Sequence, residues 1–128
     1  HDEQFGPNLM VGGGGTLVEL MKDSASLLLP TSRERVLRAL GRLNCASLFS
    51  GFRGAPPADL EAATDVIMAV ANMIEDAPSS IVELDINPLL LLPEGQGVVA
   101  ADALIVLSAE SVGDLTEMTE AERENLNE

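Results

Sequence analysis

Residues 81 to 107 carry the strongest constraint on what this chain can fold into. In the stretch Ile81 to Asn87, Val82, Leu84 and Ile86 alternate with Glu83, Asp85 and Asn87. A period of two is the period of a strand, so the three polar side chains share one face. Pro88 interrupts the run, Leu89 to Leu92 is wholly apolar, and Pro93-Glu-Gly-Gln-Gly97 is a turn. Val98 to Leu107 then returns as a second strand, apolar except for Asp102. The pair predicts a β-hairpin with a loop of about five residues.

Upstream the pattern changes. Asn8 to Val11 is a short apolar run that enters Gly12-Gly13-Gly14-Gly15, followed by Thr16 to Leu20. Ala25 to Leu29 is a further apolar run, closed by Pro30. Thr31-x-x-Glu34 has the form of a capping box in front of a helical period at Val36, Leu37, Leu40 and Leu43. Pro56-Pro57 and Asp59 start a longer helix, in which Leu60, Ala63, Ile67, Ala71 and Ile74 hold the 3.6 period. Val66, Val70 and Met73 widen its apolar stripe, which predicts burial on more than one side. Strand, glycine loop, strand, two helices and hairpin predict an α+β fold, an antiparallel sheet with helices packed on it.

Composition narrows the function classes. Seven bases against 21 acids in 128 residues leave a net charge of −14, and aromatics are 2%. A nucleic-acid binder needs a basic footprint and stacking platforms, so nucleic acid is excluded as a partner. No apolar run approaches the ~20 residues of a membrane span. One Cys rules out a disulfide framework and suits a reducing compartment, so a cytoplasmic location is expected. The opening residues are polar, so no signal peptide is expected. At this length one domain is expected. Seven acids and one base, Arg123, fall in residues 109–128. Residues 1–108 therefore read as the domain and 109–128 as an acidic tail, a short helix or disordered.

Few residues can carry chemistry. Asp85 and Asn87 share a strand face, and Asp102 is the one charge in an apolar stretch. A carboxylate in a strand that wants burial is costly unless paired or bound to a metal. Oxygen ligands of this kind suit Mg²⁺. The plainer reading is a strand with a solvated polar face. The glycine run could cradle a phosphate with its N–H groups or simply be a flexible loop. It fits neither G-x-G-x-x-G nor a Walker pattern. Arg35, Arg38 and Arg42 fall on one helix face, with Arg33 nearby. This face is either solvated or a contact for a partner or for phosphates. Arg53, inside Gly51-Phe-Arg-Gly54, could meet an anion or clamp its own loop. Cys45 reads as a small core residue, since His1 is the only histidine. Triad, Cys-His and His-zinc chemistry therefore have no imidazole in the body of the chain.

As a set, these residues resemble a known family. Asp2-Glu-Gln-Phe-Gly-Pro7 with Met10-Val-Gly-Gly-Gly-Gly-Thr-Leu-Val-Glu19 is similar to the glycine-rich segment of the NDP-forming acyl-CoA synthetases. So is Gly51-Phe-Arg-Gly-Ala-Pro-Pro-Ala-Asp59. Glu83-Leu-Asp-Ile-Asn-Pro-Leu89 and Val99-Ala-Ala-Asp-Ala-Leu-Ile105 resemble its closing motif. The family is related to the β subunit of succinyl-CoA synthetase, and the matching part is the C-terminal half of its ATP-grasp region.

The resemblance implies one lobe of an ATP-grasp domain. The full enzyme would make an acyl-CoA from an acid, CoA and ATP, releasing ADP and phosphate. Asn87 and Asp102 would hold Mg²⁺, with Asp85 as a further acid. Gly12, Gly14 and Gly15 would form the nucleotide-binding loop, and Arg53 would be a further binding residue. Gly13 stands where the family often has a bulkier apolar residue, and Leu104 where many members have Arg. The phosphohistidine, the other ATP-grasp lobe and the CoA-binding domains are not in this sequence. They would be the partners, and the isolated chain is expected to be inactive. A homodimer stays open. The alternative is a non-catalytic ATP-grasp-like regulatory or interaction module, as in large lysine acetyltransferases.

Overall fold

The computed structural model describes residues 6–14 and 22–111. Strand β1, Asn8–Gly12, pairs antiparallel with β2, Ser24–Leu28, so that Asn8 faces Leu28 and Gly12 faces Ser24. The N–H of Gly13 extends this ladder, donating to the carbonyl of Asp23 at 2.9 Å. The approach is so close that a Cβ on Gly12 would fall 2.8 Å from that same carbonyl oxygen. Glycine is there because nothing else fits.

Helix α1, Arg33–Gly41, starts one residue later than the capping box suggests. Ser32, not Thr31, is the cap, and its Oγ accepts from the N–H of Arg35 at 3.4 Å. Thr31 turns inward, and its hydroxyl is buried with no partner among the described residues. A single turn, α2 (Ala46–Phe49), follows. Helix α3 spans Leu60–Asp76 and is capped by Asp59, whose carboxylate accepts from the N–H of Ala62 at 3.1 Å. Arg33 donates to the carboxylates of Glu61 and Asp65, which ties α1 to α3.

The core forms where α1 and α3 cover β1 and β2. Leu27, Val36, Ala39, Leu40 and Leu43 are buried, with Leu9, Ile67 and Met68 packed around them. Val36 is fully enclosed, worth about 1.5–3 kcal/mol relative to exposure. Helix α3 is less enclosed than its wide stripe suggests. Ala63, Thr64 and Ala71 are buried, but Met73 is 38% exposed. The stripe is wider than the surface available to cover it.

The hairpin is present, in two pieces. Strand β3, Ile81–Ile86, pairs with β6, Ala103–Leu107, and β4, Leu89–Leu91, pairs with β5, Val98–Ala100. Two hydrogen bonds bridge the pieces. Asn87 N–H donates to the Asp102 carbonyl at 3.1 Å, and Ala101 N–H donates to the Pro88 carbonyl at 3.0 Å. The result is one ribbon with a joint at Pro88, where the Asn87–Pro88 peptide is cis. Leu92 N–H donates to the Gly97 carbonyl at 3.1 Å and closes the five-residue turn. The expected α+β architecture is therefore present, but as three two-stranded antiparallel sheets among the described residues.

One expectation fails. The stretch Val98 to Leu107 reads as a strand seeking burial, yet every residue of β6 is exposed, with Leu104 at 54% and Ile105 at 51%. Helix α3 meets the ribbon at β4, and no described residue shields β6. Among the described residues no helix is long and apolar enough to cross a membrane. Gly15, the run Thr16 to Leu20 and the acidic residues beyond Ser111 lie outside the described residues.

Candidate functional site

The joint of the ribbon brings the predicted metal ligands together. In the β3–β6 register Asp85 faces Leu104 and Ile86 faces Ala103. The Asn87–Asp102 hydrogen bond continues that register by one step. Facing residues, and residues two apart on one strand, point to the same side. Asp85, Asn87 and Asp102 thus share one face. Facing Cβ atoms lie about 4.5–5.5 Å apart, and diagonal neighbours about 7–8 Å. Asn87 and Asp102 are level, and Asp85 stands one diagonal away.

All three are exposed. This corrects the reasoning that singled out Asp102 as a charge in a buried strand. Its surroundings are open, so burial does not demand a partner for it. Among the described residues no three His, Cys, Asp or Glu side chains converge on one point. The set is two carboxylates and an amide oxygen. That fits Mg²⁺, which is commonly held by one or two carboxylates, with waters and substrate phosphates completing its octahedron.

The glycine segment reaches the same place. A Cβ built on Gly14 would lie 3.8 Å from the Cβ of Pro88, the residue after Asn87. Gly12 and Gly13 lead there from β1, held against Asp23. The glycine backbone thus reaches the joint of the ribbon at Pro88.

Arg53 is not brought in by any hydrogen bond or ion pair among the described residues. It adopts φ 49°, and its guanidinium lies 5.1 Å from the centre of the Phe52 ring. Its loop is fastened elsewhere: Asp59 N–H donates to the Leu92 carbonyl, and Glu94 N–H to the Pro57 carbonyl, both at 2.9 Å. These ties lie at the turn end of the β4–β5 ribbon, away from the joint. Gly51, at φ 90°, is required by the loop, since a Cβ there would meet the Ala55 carbonyl at 2.6 Å.

Two acids to which the sequence assigns no site role hold the frame. Asp59 caps α3 and also accepts from Gly97 N–H at 2.8 Å, locking the hairpin turn to the helix. Asp23 accepts from the N–H groups of Asn44 and Cys45 at 2.7 and 2.9 Å, fixing the end of α1 to β2. The Ala62 N–H holds the Asp59 carboxyl below its ordinary value, and the Asn44 N–H does the same for Asp23. Asp59 was legible as a helix start, but its second bond spans the fold. Cys45 is half-buried against the core, and desolvation pushes its thiol up, which suits a packing role.

Residues 1–107 match the family model of an ATP-grasp domain. The chain belongs to the ATP-grasp family. Within this group it is similar to the β subunit of an ADP-forming acetate–CoA ligase II from Pyrococcus furiosus, 34% identical over 106 residues. That match covers 83% of this chain and 45% of the subunit. A trans-feruloyl-CoA synthase from a prokaryote is 36% identical, over 84% of this chain and 15% of the synthase. In structure, an acetyl-coenzyme A synthetase from Ca. Korarchaeum cryptofilum, solved with coenzyme A and Mg-AMPPCP, superposes with a TM-score of 0.76. It is 34% identical, and the match covers 84% of this chain and 49% of that one. The chain thus spans about half the length of the β subunit and less of the longer synthetases. The resemblance to acyl-CoA synthetases read from the motifs is borne out. The matched relatives are subunits or parts of larger synthetases.

Proposed function

We propose that this chain is one lobe of the ATP-grasp region of an ADP-forming acyl-CoA synthetase, an acid–CoA ligase. In this reading Asn87, Asp102 and Asp85 hold Mg²⁺, and Gly12 and Gly14 bring backbone to the nucleotide phosphates. The observation that carries the reading is the meeting of Gly14 and Pro88 beside the Asn87–Asp102 bridge. It supports a site where oxygen ligands and side-chain-free backbone serve one phosphate group.

Each residue has a part that follows from its chemistry. The Asn87 N–H is committed to the Asp102 carbonyl, so the backbone keeps the two side chains level. The Asn87 amide offers a neutral oxygen, and Asp102 offers a charged one. Asp85 adds a second carboxylate from one diagonal away. Gly14 puts no side chain between its backbone and Pro88. Mg²⁺, when bound, would neutralise charge that builds on phosphate oxygens during phosphoryl transfer.

The remainder of the enzyme supplies what this chain lacks. The body offers one lysine, Lys22, and no histidine beyond His1. The second ATP-grasp lobe and the CoA-binding domains are the partners of this reading, and the exposed apolar ribbon of β3 and β6 is the surface they would cover. A CoA ligase with one unpaired thiol, Cys45, suits the cytoplasm.

Paramagnetic Mn²⁺ in place of Mg²⁺ tests the site. Titrated with ADP into the enzyme that contains this lobe, it should selectively broaden the amide signals of Gly14, Asn87 and Asp102. Broadening centred on other residues contradicts the assignment.

A further inference from the structure

A second recognition surface lies on other elements. A groove of about 270 Å³ runs between β2 and α1, with Ser26 and Leu28 on one wall and Arg35, Arg38 and Arg42 on the other. The chain has only seven basic residues against 21 acids, and three of the seven line this groove. All three are exposed. Arg38 is paired with Glu34 at 2.8 Å, an open i,i+4 pair of the weak kind. Arg35 and Arg42 have no carboxylate within 4.0 Å among the described residues.

The opposite wall is a strand edge. Gly13 N–H donates to the Asp23 carbonyl, and Leu29 N–H to the Pro7 carbonyl. With the β1–β2 register this turns the backbone of Asp23, Ala25, Leu27 and Leu29 toward β1. The N–H and C=O groups of Ser24, Ser26 and Leu28 point the other way. Strand β2 has β1 as its one neighbour among the described residues. Four consecutive residues, Ala25 to Leu28, line the groove, as happens when a groove follows the edge of a strand rather than one face. Both walls are about 10 Å long, three steps of about 3.3 Å from Ala25 to Leu28 against seven of about 1.5 Å from Arg35 to Arg42.

We propose that this groove takes an extended acidic peptide segment as an added strand on the β2 edge. Its backbone would pair with Ser24, Ser26 and Leu28. Its carboxylates would meet the guanidinium groups of Arg35 and Arg42, with Arg38 exchanging from Glu34. Strand addition uses main-chain hydrogen bonds for affinity and side-chain contacts for choice of partner. An unpaired edge invites such pairing, and the arginine wall selects for negative charge. The edge geometry favours a peptide over a compact anion, which would use the arginines and leave the edge groups unpaired.

The 128-residue chain, isotope-labelled, is titrated with a blocked ten-residue peptide of alternating Glu and Thr. The expected result is a saturable shift of the Ser24, Ser26 and Leu28 amides, with slowed amide exchange at Ser26. Binding should weaken at least ten-fold in R35E/R42E and fall between 50 and 200 mM salt. The same peptide N-methylated at alternate residues, on the backbone edge that would pair with β2, should not bind. Equal binding of the methylated peptide would reduce the contact to charge alone and overturn strand addition. Tripolyphosphate that shifts the arginine side chains, while the peptide shifts nothing, would make the groove a small-anion site and also overturn it.

Discussion

The N–H of Asn87 donates to the carbonyl of Asp102 at 3.1 Å, across the joint where the two halves of the ribbon meet. This single bond sets two side chains level on one face, beside the strand end that carries Gly14. In the proposed reading, the pairing puts functional demand and structural demand on the same short stretch. Backbone keeps the register, which leaves the side chains free for a ligand.

Gly12 and Gly14 should respond differently to alanine. A Cβ at Gly12 meets the Asp23 carbonyl oxygen at 2.8 Å, a backbone atom that the ladder holds in place. We expect Gly12→Ala to destabilise by about 1–3 kcal/mol, the usual range for forced overpacking. At Gly14 the nearest atom is the Pro88 Cβ at 3.8 Å, an ordinary contact. Gly14→Ala should stay within about 0.5 kcal/mol of the parent. Urea unfolding of both variants checks the contrast. Equal losses would show that the close approach at Gly12 is not what holds β1 to β2.

Acid should loosen the frame through Asp59 and Asp23. Both carboxyls are held below their ordinary values by backbone N–H groups, those of Ala62 and Asn44 first. A group whose folded value is depressed stabilises the fold above its unfolded value, about 3.9, and loses that contribution as pH falls through the folded value. Asp59→Asn should therefore lower the unfolding midpoint at pH 7 and differ little from the parent at pH 2. Denaturation at the two pH values measures this. A difference that persists undiminished at pH 2 would mean that shape, not charge, is what Asp59 contributes.

Local patterns of the sequence proved informative and long-range ones did not. Alternation from Val82 to Asn87 identified β3 and the face shared by Asp85 and Asn87, because strand period is a local property. The Asp59 start of α3 was legible for the same reason. The cap of α1 was misplaced by one residue, since Thr31 and Ser32 are both able caps and burial of Thr31 decided between them. The tie from Asp59 to Gly97 spans the fold and leaves no trace in spacing. Asp102 was singled out because its strand looked buried. The strand is exposed because no described element covers it, so the residue stands on its register with Asn87 instead.

Core and ribbon should tolerate truncation unequally. Val36 is fully buried, so Val36→Ala should cost about 2–3 kcal/mol through lost burial and a residual cavity. Leu104 is 54% exposed, and Leu104→Thr should cost less than about 1 kcal/mol in this chain. In the complete enzyme the same Leu104 change should cost more, if the partner lobe covers the ribbon. Thermal unfolding of both variants in both settings gives the comparison. An unchanged Leu104→Thr penalty would leave the ribbon uncovered there too.

The central claim is that Asn87 and Asp102 hold Mg²⁺ against the nucleotide phosphates. The most direct measurement is ATP-dependent acyl-CoA formation by the complete enzyme as a function of Mg²⁺, for Asn87→Ala and Asp102→Ala. The account predicts a loss of roughly 10²-fold in each, with the Mg²⁺ requirement moved to higher concentration. Turnover and Mg²⁺ dependence equal to the parent in both variants would contradict it.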